Sequence, residues 1–222
     1  MHEFDFVPKL PRRTHCAPGS AGNLAAFLPA VTGPVLLVSD RGLARLGLPD
    51  GLRAVLERSG RKVSLFTDLA GEPTLADLNA CVSQAEADGV GAVVGLGGGS
   101  ALDTAKAVAA LLGTGLKAEE AVGADRIAGR ATPLVLIPTT AGTGSEATPN
   151  ALFLDQRRRK AALISPHLLP DVALLDPTLT AGLPPAVTAS TGLDALTHAV
   201  ESYLSRRANP VSRAFSAEAV RL

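Results

Sequence analysis

A glycine-rich turn between an apolar run and a helical stretch constrains the fold of this chain more than any other feature. Residues 90–94 are apolar, residues 95–100 read Gly-Leu-Gly-Gly-Gly-Ser, and residues 101–112 carry helix-forming side chains. Glycines have no Cβ atom to hold a ligand away, and a helix N-terminus offers free N–H groups and partial positive charge to a phosphate. The pattern therefore predicts a strand, a turn and a helix with space for a pyrophosphate.

The glycine-rich turn matches neither of the two common phosphate-binding motifs. The position that would complete G-x-G-x-x-G holds Leu102, and no Walker lysine follows the last glycine. A tight strand-to-helix connection that binds no ligand is therefore an alternative at this point. The glycine turn alone does not distinguish a phosphate-binding turn from a connection without a ligand, so the neighbouring segments have to be considered.

Apolar runs and helical patterns alternate along most of the chain. The run at 35–38 is typical of a strand buried on both faces, and Thr74 caps a helix whose apolar residues recur every three or four positions. Such alternation with short connections is typical of a parallel sheet covered by helices on both faces. We predict strands at 4–6, 14–17, 35–38, 62–66, 90–94, 133–138 and 172–175, a hairpin of 151–154 and 160–164, and helices at 19–28, at 52–59, from Thr74, from Ser100 and within 117–132.

A second turn rich in glycine and hydroxyl groups, residues 139–146, follows the strand predicted at 133–138. Open α/β sheets bind ligands beyond the carboxyl ends of their strands, so this turn is a second candidate binding segment. After Pro184 and Pro185 the pattern is helical to the last residue. We therefore predict an α/β domain over residues 1–182 and an all-helical domain that begins at residue 183.

The composition favours a small-molecule partner. The 21 basic and 21 acidic residues cancel, which leaves no overall field to attract nucleic acid or an anionic membrane. The basic residues 157–159 are predicted to form the solvated turn of the hairpin. No apolar run reaches the roughly 18 to 20 residues that cross a bilayer, and the N-terminus lacks a signal-peptide pattern. With Cys16 and Cys81 isolated, we expect a reduced, cytoplasmic protein.

Asp194 and His198 are the candidate metal ligands. They are four residues apart, so on a helix they project from one face about one turn apart. A carboxylate and an imidazole suit a divalent cation such as iron or zinc. A surface Asp/His pair without a metal is the alternative, because a catalytic metal needs at least three protein ligands.

Four motifs, in this order, resemble those of the iron-containing, or group III, alcohol dehydrogenases. They are the glycine turn with Asp103, Ala105 and Lys106, the segment 138–146, the segment 165–167, and the segment 192–201. The resemblance extends from about residue 14 to the last residue. It implies a Rossmann-like dinucleotide-binding α/β domain followed by the start of an all-helical metal-binding domain, with cofactor and metal facing each other across a cleft.

The resemblance also implies roles for individual residues. Asp40 would contact the adenosine ribose, and because a carboxylate repels a 2′-phosphate we expect NAD rather than NADP. Asp194 and His198 would be the first two ligands of Fe2+, although the ligand types alone equally permit Zn2+. No residue is predicted to be catalytic. The implied contacts to the dinucleotide are Asp40, Gly97, Gly98, Gly99, Ser100, Thr139, Thr140, Thr148 and Lys160.

The implied activity is hydride transfer between a nicotinamide cofactor and a small-molecule alcohol or aldehyde, and a homo-oligomer is a further expectation. Family members are longer and supply two more histidine ligands on later helices. We therefore expect this chain of 222 residues to be a truncated or partial sequence that is inactive by itself. Two alternatives stay open: an inactive nucleotide-binding fragment, and an enzyme resembling glycerol dehydrogenase or dehydroquinate synthase. The segment 194–198 and the turn at 139–143 favour the iron-containing alcohol dehydrogenases over the second alternative.

Overall fold

The computed structural model describes residues 9–222 and contains two β-sheets. The strands are β1 (Arg13–Cys16), β2 (Val35–Asp40), β3 (Val63–Leu69), β4 (Ala92–Gly97), β5 (Gly123–Ala124), β6 (Leu134–Pro138), β7 (Asn150–Leu154), β8 (Lys160–Ile164) and β9 (Val172–Leu175). Six of them form a sheet in the order β1-β9-β6-β4-β2-β3, in which every neighbouring pair is parallel. The predicted parallel sheet is therefore present, and the strand predicted at 4–6 lies outside the described residues.

The central strands are buried on both faces because helices cover both sides of the sheet. Leu36 and Val38 of β2 pack in one core with the helices α3 (Leu75–Ala87) and α4 (Gly99–Leu111). Val35 and Leu37, the alternate residues of the same strand, pack in a second core with α2 (Leu48–Arg58) and the 3-10 helix Ser20–Phe27. Successive strand residues face opposite cores, which explains why β2 is a continuous apolar run.

Local capping decides where several of these helices begin. Thr74 accepts a hydrogen bond from the backbone N–H of Asp77, whose side chain bonds back to the Thr74 N–H, and this capping box starts α3 as predicted. The helix expected at 19–28 is a 3-10 helix, Ser20–Phe27, with a kink at Asn23, whose φ and ψ are non-helical. A short helix that the sequence did not predict, α1 (Arg41–Arg45), begins immediately after β2.

The second sheet has the order β5-β8-β7 and contains the predicted hairpin, with β7 and β8 antiparallel. The helix expected within 117–132 is wrong: this segment forms turns and the short strand β5, which pairs in parallel with β8. Backbone hydrogen bonds to β8 therefore outweigh the weak helical pattern of this segment.

Two helices follow the strands, α5 (Pro185–Leu204) and α6 (Pro210–Arg221), and they pack against each other. Pro185 occupies the first turn of α5, and the Asn209 side chain caps α6 by accepting from the N–H groups of Val211 and Ser212. Within residues 9–222, no helix is both long and apolar enough to cross a membrane. The division into two domains near residue 183 stays a prediction.

Candidate functional site

The N-terminus of α4 is open at the carboxyl edge of the main sheet. β4 ends at Gly97, and Gly98 is the N-cap residue of α4, with no side chain capping the helix. Gly97 has φ +148°, and a Cβ atom there would lie 2.8 Å from the Cβ of Ala101. Glycine is therefore required at 97 by both backbone conformation and packing. The first N–H groups of α4 are available to an anionic ligand.

The glycine turn at the N-terminus of α4 (residues 97–100) and the loop after β6 (residues 139–146) together form a candidate anion-binding site, which we call the cradle. The loop forms the side of the cradle opposite α4. Gly97 of β4 pairs with Pro138 of β6, so the turns that follow the two strands are neighbours. A Cβ atom on Gly98 would lie 3.5 Å from Thr140 Oγ1, and one on Gly99 would lie 3.1 Å from Thr143 Cγ2. The two glycine turns singled out in the sequence therefore face each other at one edge of the sheet.

Asp40 has a structural contact that the sequence did not predict. Its Oδ1 atom accepts hydrogen bonds from the N–H groups of Gly42 (2.8 Å) and Leu43 (3.0 Å), which caps α1. Its Oδ2 atom lies toward the glycine turn, 3.3 Å from the Cβ position of Gly97. One carboxylate oxygen therefore holds a helix, while the other faces the candidate ribose position.

The remaining predicted dinucleotide contacts lie at different depths. Thr139 is 2% exposed and donates its N–H to the Gly97 carbonyl at 3.0 Å. The Thr148 hydroxyl lies 3.2 Å from Lys106 Nζ, inside the loop. Lys160, which begins β8, is exposed and forms an ion pair with Glu72. Lys160 therefore lies at the rim of the candidate site rather than in its interior.

A buried charge pair lies beneath the loop, formed by Asp103 and Lys106 of α4. Lys106 is 0% exposed, and its Nζ atom lies 2.9 Å from Asp103 Oδ1. Burial lowers the pKa of the Lys106 ammonium, and the charge of Asp103 and its hydrogen bond oppose that shift. Burial also raises the pKa of nearby Glu146. The sequence analysis assigned no role to Asp103 or Lys106. The pattern that could have revealed this buried pair is two opposite charges three residues apart in a mostly apolar helix.

A cleft of about 850 Å³ joins the glycine turns to the helices α5 and α6. Asp194 and His198 of α5 lie on its wall, together with Gly99, Thr143, Lys160 and Phe215. His198 Nε2 and Asp194 Oδ1 are 3.7 Å apart, and both side chains are about half exposed. The structure thus brings the candidate metal ligands and the candidate dinucleotide turns to one cleft. In the described part of the chain, no group of three or more His, Cys, Asp or Glu side chains could hold a metal ion.

Two family models match this chain. Residues 11–177 match the model described as iron-containing alcohol dehydrogenase, and residues 188–222 match the model for the C-terminal part of the Fe-containing alcohol dehydrogenase family. The first match contains the main sheet, the glycine turns and the buried charge pair. The second contains most of α5, including the candidate metal ligands, and all of α6.

Relatives with similar sequences include two named alcohol dehydrogenases. The chain is 39% identical over 188 residues to alcohol dehydrogenase 4 of Schizosaccharomyces pombe, covering 84% of this chain and 44% of the relative. It is 41% identical over 191 residues to long-chain-alcohol dehydrogenase 1 of Geobacillus thermodenitrificans, covering 85% of this chain and 48% of the relative. The chain therefore spans about half the length of the curated relatives it matches.

Two solved structures superpose on nearly the whole chain. An iron-containing alcohol dehydrogenase from Thermococcus thioreducens has a TM-score of 0.88 at 28% identity, covering 97% of this chain and 58% of that one. A sulfoacetaldehyde reductase from Bifidobacterium kashiwanohense in complex with NAD+ has a TM-score of 0.85 at 29% identity, covering 100% of this chain and 58% of that one. The similarity includes α5 and α6 as well as the sheet.

Proposed function

The chain belongs to the iron-containing alcohol dehydrogenase family, and on this basis we propose that this sequence, at the full length of its relatives, transfers a hydride between NAD and a small-molecule alcohol or aldehyde at a divalent-metal site. The observation that carries the proposal is the single cleft that contains both the uncapped N-terminus of α4 and the Asp194/His198 pair. A reaction between a dinucleotide and a metal-held substrate requires these two features to face each other.

The residues of the cradle fit a dinucleotide. The first N–H groups of α4 bind the pyrophosphate, because no side chain competes for them. Oδ2 of Asp40 accepts a hydrogen bond from a ribose hydroxyl, since Oδ1 already caps α1. Thr139, Thr140 and Thr148 orient the rest of the nucleotide, and Lys160 binds at the rim. Gly97, Gly98 and Gly99 let the backbone approach the phosphates, and Ser100 contacts them from the first turn of α4.

The side chains on α5 fit a divalent cation. A carboxylate and an imidazole are ordinary ligands of Fe2+ and also of Zn2+, and Asp194 and His198 project into the cleft from the same face of α5. When bound, the nicotinamide supplies the hydride chemistry and the cation supplies Lewis-acid charge near the substrate oxygen. The chain's own contribution is to hold the two groups on opposite sides of one cleft.

The test of dinucleotide binding uses Gly98→Ala with Gly51→Ala as the matched control. A Cβ atom on Gly98 meets only ordinary contacts, so the variant should fold, but its methyl group occupies the cradle. We expect calorimetry to show binding of NAD that is weaker by roughly tenfold or more. Gly51 lies in α2 with nothing within 4 Å of a Cβ atom, so its variant should bind NAD like the wild type. Equal NAD affinity in all three proteins would contradict the proposed cradle.

A nucleotide-binding protein without catalysis is the second candidate. It is favoured by one observation: among residues 9–222, Asp194 and His198 have no third His, Cys, Asp or Glu side chain in position to bind the same metal. The two candidates make the same prediction for NAD affinity and different predictions for metal content. Metal analysis of a protein of the relatives' full length that contains this sequence therefore separates them, with stoichiometric metal favouring the oxidoreductase. The chain of 222 residues alone is expected to bind metal weakly under either candidate.

A further inference from the structure

Lys106 is a buried cation to which the proposed function assigns no role. It lies in the middle of α4, and its side chain is completely buried. Its Nζ atom donates to the Ser145 carbonyl at 2.9 Å, to Thr148 Oγ1 at 3.2 Å and to the Asn150 carbonyl. All three acceptors belong to the segment between β6 and the start of β7. One ammonium group therefore joins α4 to the loop that faces the cleft.

Asp103 strengthens the same connection from the preceding turn of α4. Its Oδ1 atom lies 2.9 Å from Lys106 Nζ and accepts from Ser145 Oγ at 2.5 Å, and its Oδ2 atom accepts from the Leu152 N–H at 2.9 Å. The Asp103 carboxylate is thereby surrounded by donors from α4, from the loop and from β7. The loop is held by a satisfied, buried network rather than by apolar packing alone.

Stability alone does not account for such a network. A buried ion pair stabilises a fold little, and apolar residues of similar volume replace one at little cost in many proteins. The network instead fixes the path of the segment that contains Thr139, Thr140 and Thr148, which are the proposed dinucleotide contacts. A binding loop that is already ordered loses less conformational entropy when its ligand binds.

On the basis of the proposed function, we propose that Lys106 is a positioning residue of the dinucleotide cleft: its buried ammonium holds residues 139–150 against α4 in the conformation that binds NAD. Lys106 itself touches no part of the dinucleotide in this proposal. Without the ammonium, the Ser145 and Asn150 carbonyls lose their donor, and the loop must become ordered at the moment of binding.

The experiment compares Lys106→Met with Arg130→Met. Arg130 is also a cation with little exposure, its side chain being 9% exposed. It donates to the carbonyls of His167 and Leu169 at 2.9 Å and to Asp171 Oδ2 at 2.8 Å. It does so beside Leu134 and Val172, where β6 and β9 begin, at the opposite end of the sheet from the cleft. The two variants therefore remove similar chemistry from the two ends of one sheet.

Three measurements are made on the full chain: the Kd of NAD by calorimetry, the Tm, and hydrogen exchange of the backbone amides. We expect both variants to have a lower Tm. Only Lys106→Met should raise the Kd of NAD, by roughly tenfold or more, and only that variant should speed exchange within residues 139–150. A similar loss of NAD affinity in Arg130→Met would overturn the positioning role, because the effect would then come from general destabilisation.

A milder variant covers the case in which Lys106→Met does not fold. Ser145→Ala removes the hydroxyl that donates to Asp103 and keeps both charges, so we expect a smaller increase in the Kd of NAD with the fold retained. Unchanged affinity in this variant and in any folded Lys106 variant would disprove the inference while leaving the proposed function intact. Failure of the wild-type chain to bind NAD would instead disprove the proposed function, and this inference with it.

Discussion

The two carboxylate oxygens of Asp40 have different surroundings, and this difference decides which substitution can test the choice between NAD and NADP. Oδ1 accepts from the N–H groups of Gly42 and Leu43, whereas Oδ2 faces the glycine turn. A glycine at position 40 would remove the helix cap together with the charge, so a change in cofactor preference could not be separated from a change in α1. A serine keeps a capping hydroxyl and removes only the charge.

We therefore expect Asp40→Ser to fold with α1 intact and to bind NADP relatively better than the wild type does. The carboxylate accepts a hydrogen bond from a ribose 2′-hydroxyl and repels a 2′-phosphate, so its loss should reduce the preference for NAD by roughly tenfold. Titration calorimetry with NAD and with NADP measures the ratio directly. An unchanged ratio would mean that Asp40 does not contact the ribose.

The beginnings of β6 and β9 are joined by a cluster around Asp171. Its carboxylate accepts from Arg130 at 2.8 Å and from the Leu134 N–H at 2.9 Å. Burial by itself would raise the pKa of Asp171, but the hydrogen bonds from Arg130 and Leu134 and the charge of Arg130 outweigh it and leave the pKa below its ordinary value. The folded protein therefore binds this proton less tightly than the unfolded chain does.

The sign of the resulting pH dependence follows from that difference. The stabilisation is complete above the ordinary pKa of 3.8 and is lost as the pH falls through the lower, folded-state pKa. Asp171→Asn should lower the free energy of unfolding at pH 7 by about 1–3 kcal/mol, and the difference from the wild type should shrink in acid. Urea unfolding at a series of pH values measures this. Asp68→Asn is the control, because Asp68 pairs with Arg41 in solvent and its side chain is 83% exposed. If the free energy of unfolding of Asp171→Asn differed from that of the wild type by the same amount at every pH, the assignment to Asp171 would be refuted.

At the scale of the whole molecule, the helices α5 and α6 expose an apolar surface. Leu193 is 64% exposed, Leu204 is 73% exposed and Phe215 is 64% exposed, and Leu196, Val200, Tyr203, Val220 and Leu222 are exposed beside them. Exposed apolar side chains in this number on two helices that pack together promote association in water. Outside α5, α6 and the adjoining Leu222, the large apolar side chains exposed among the described residues are Leu10, Leu46, Leu152 and Ile164.

We expect the chain to associate with increasing concentration, and the double variant Leu193→Ser/Leu204→Ser to associate less. Leu46→Ser is the matched control, because Leu46 is as exposed as Leu204 and lies beside α1, away from α5 and α6. Sedimentation velocity over a range of concentrations reports the result. Equal association of all three proteins would show that this surface is not responsible.

The metal site leads to a further expectation for the whole chain. Two protein ligands leave a divalent cation with most of its waters, whereas catalytic sites have at least three protein ligands. We expect this chain of 222 residues to bind Fe2+ weakly and to show no alcohol oxidation with added Fe2+ and NAD. The measurements are metal content and NADH formation, with a curated relative of full length as the positive control. Tight stoichiometric metal together with turnover would contradict this expectation and point to ligands from a second copy of the chain.

The sequence by itself determined the features that depend on neighbouring residues. The apolar run of β2, the glycine turn after β4 and the Thr74 cap each consist of a few neighbouring residues, so their patterns are visible along the chain. The weak pattern within 117–132 was misread, because the partner that decides its structure, β8, lies about 40 residues away. Strand pairing of that kind leaves no local signal.

Only the tertiary structure decided which of these segments form one site. Lys106 reaches carbonyl groups some 40 positions later in the chain, and Asp194 reaches the cleft of Gly99 from a different helix. Residues three positions apart lie on the same face of a helix, but the sequence does not indicate that the face of α4 with Asp103 and Lys106 is buried against the loop. The burial of a charge depends on what packs over it, and that is set by the arrangement of the strands β4, β6 and β7 around α4 rather than by the residues adjacent in sequence.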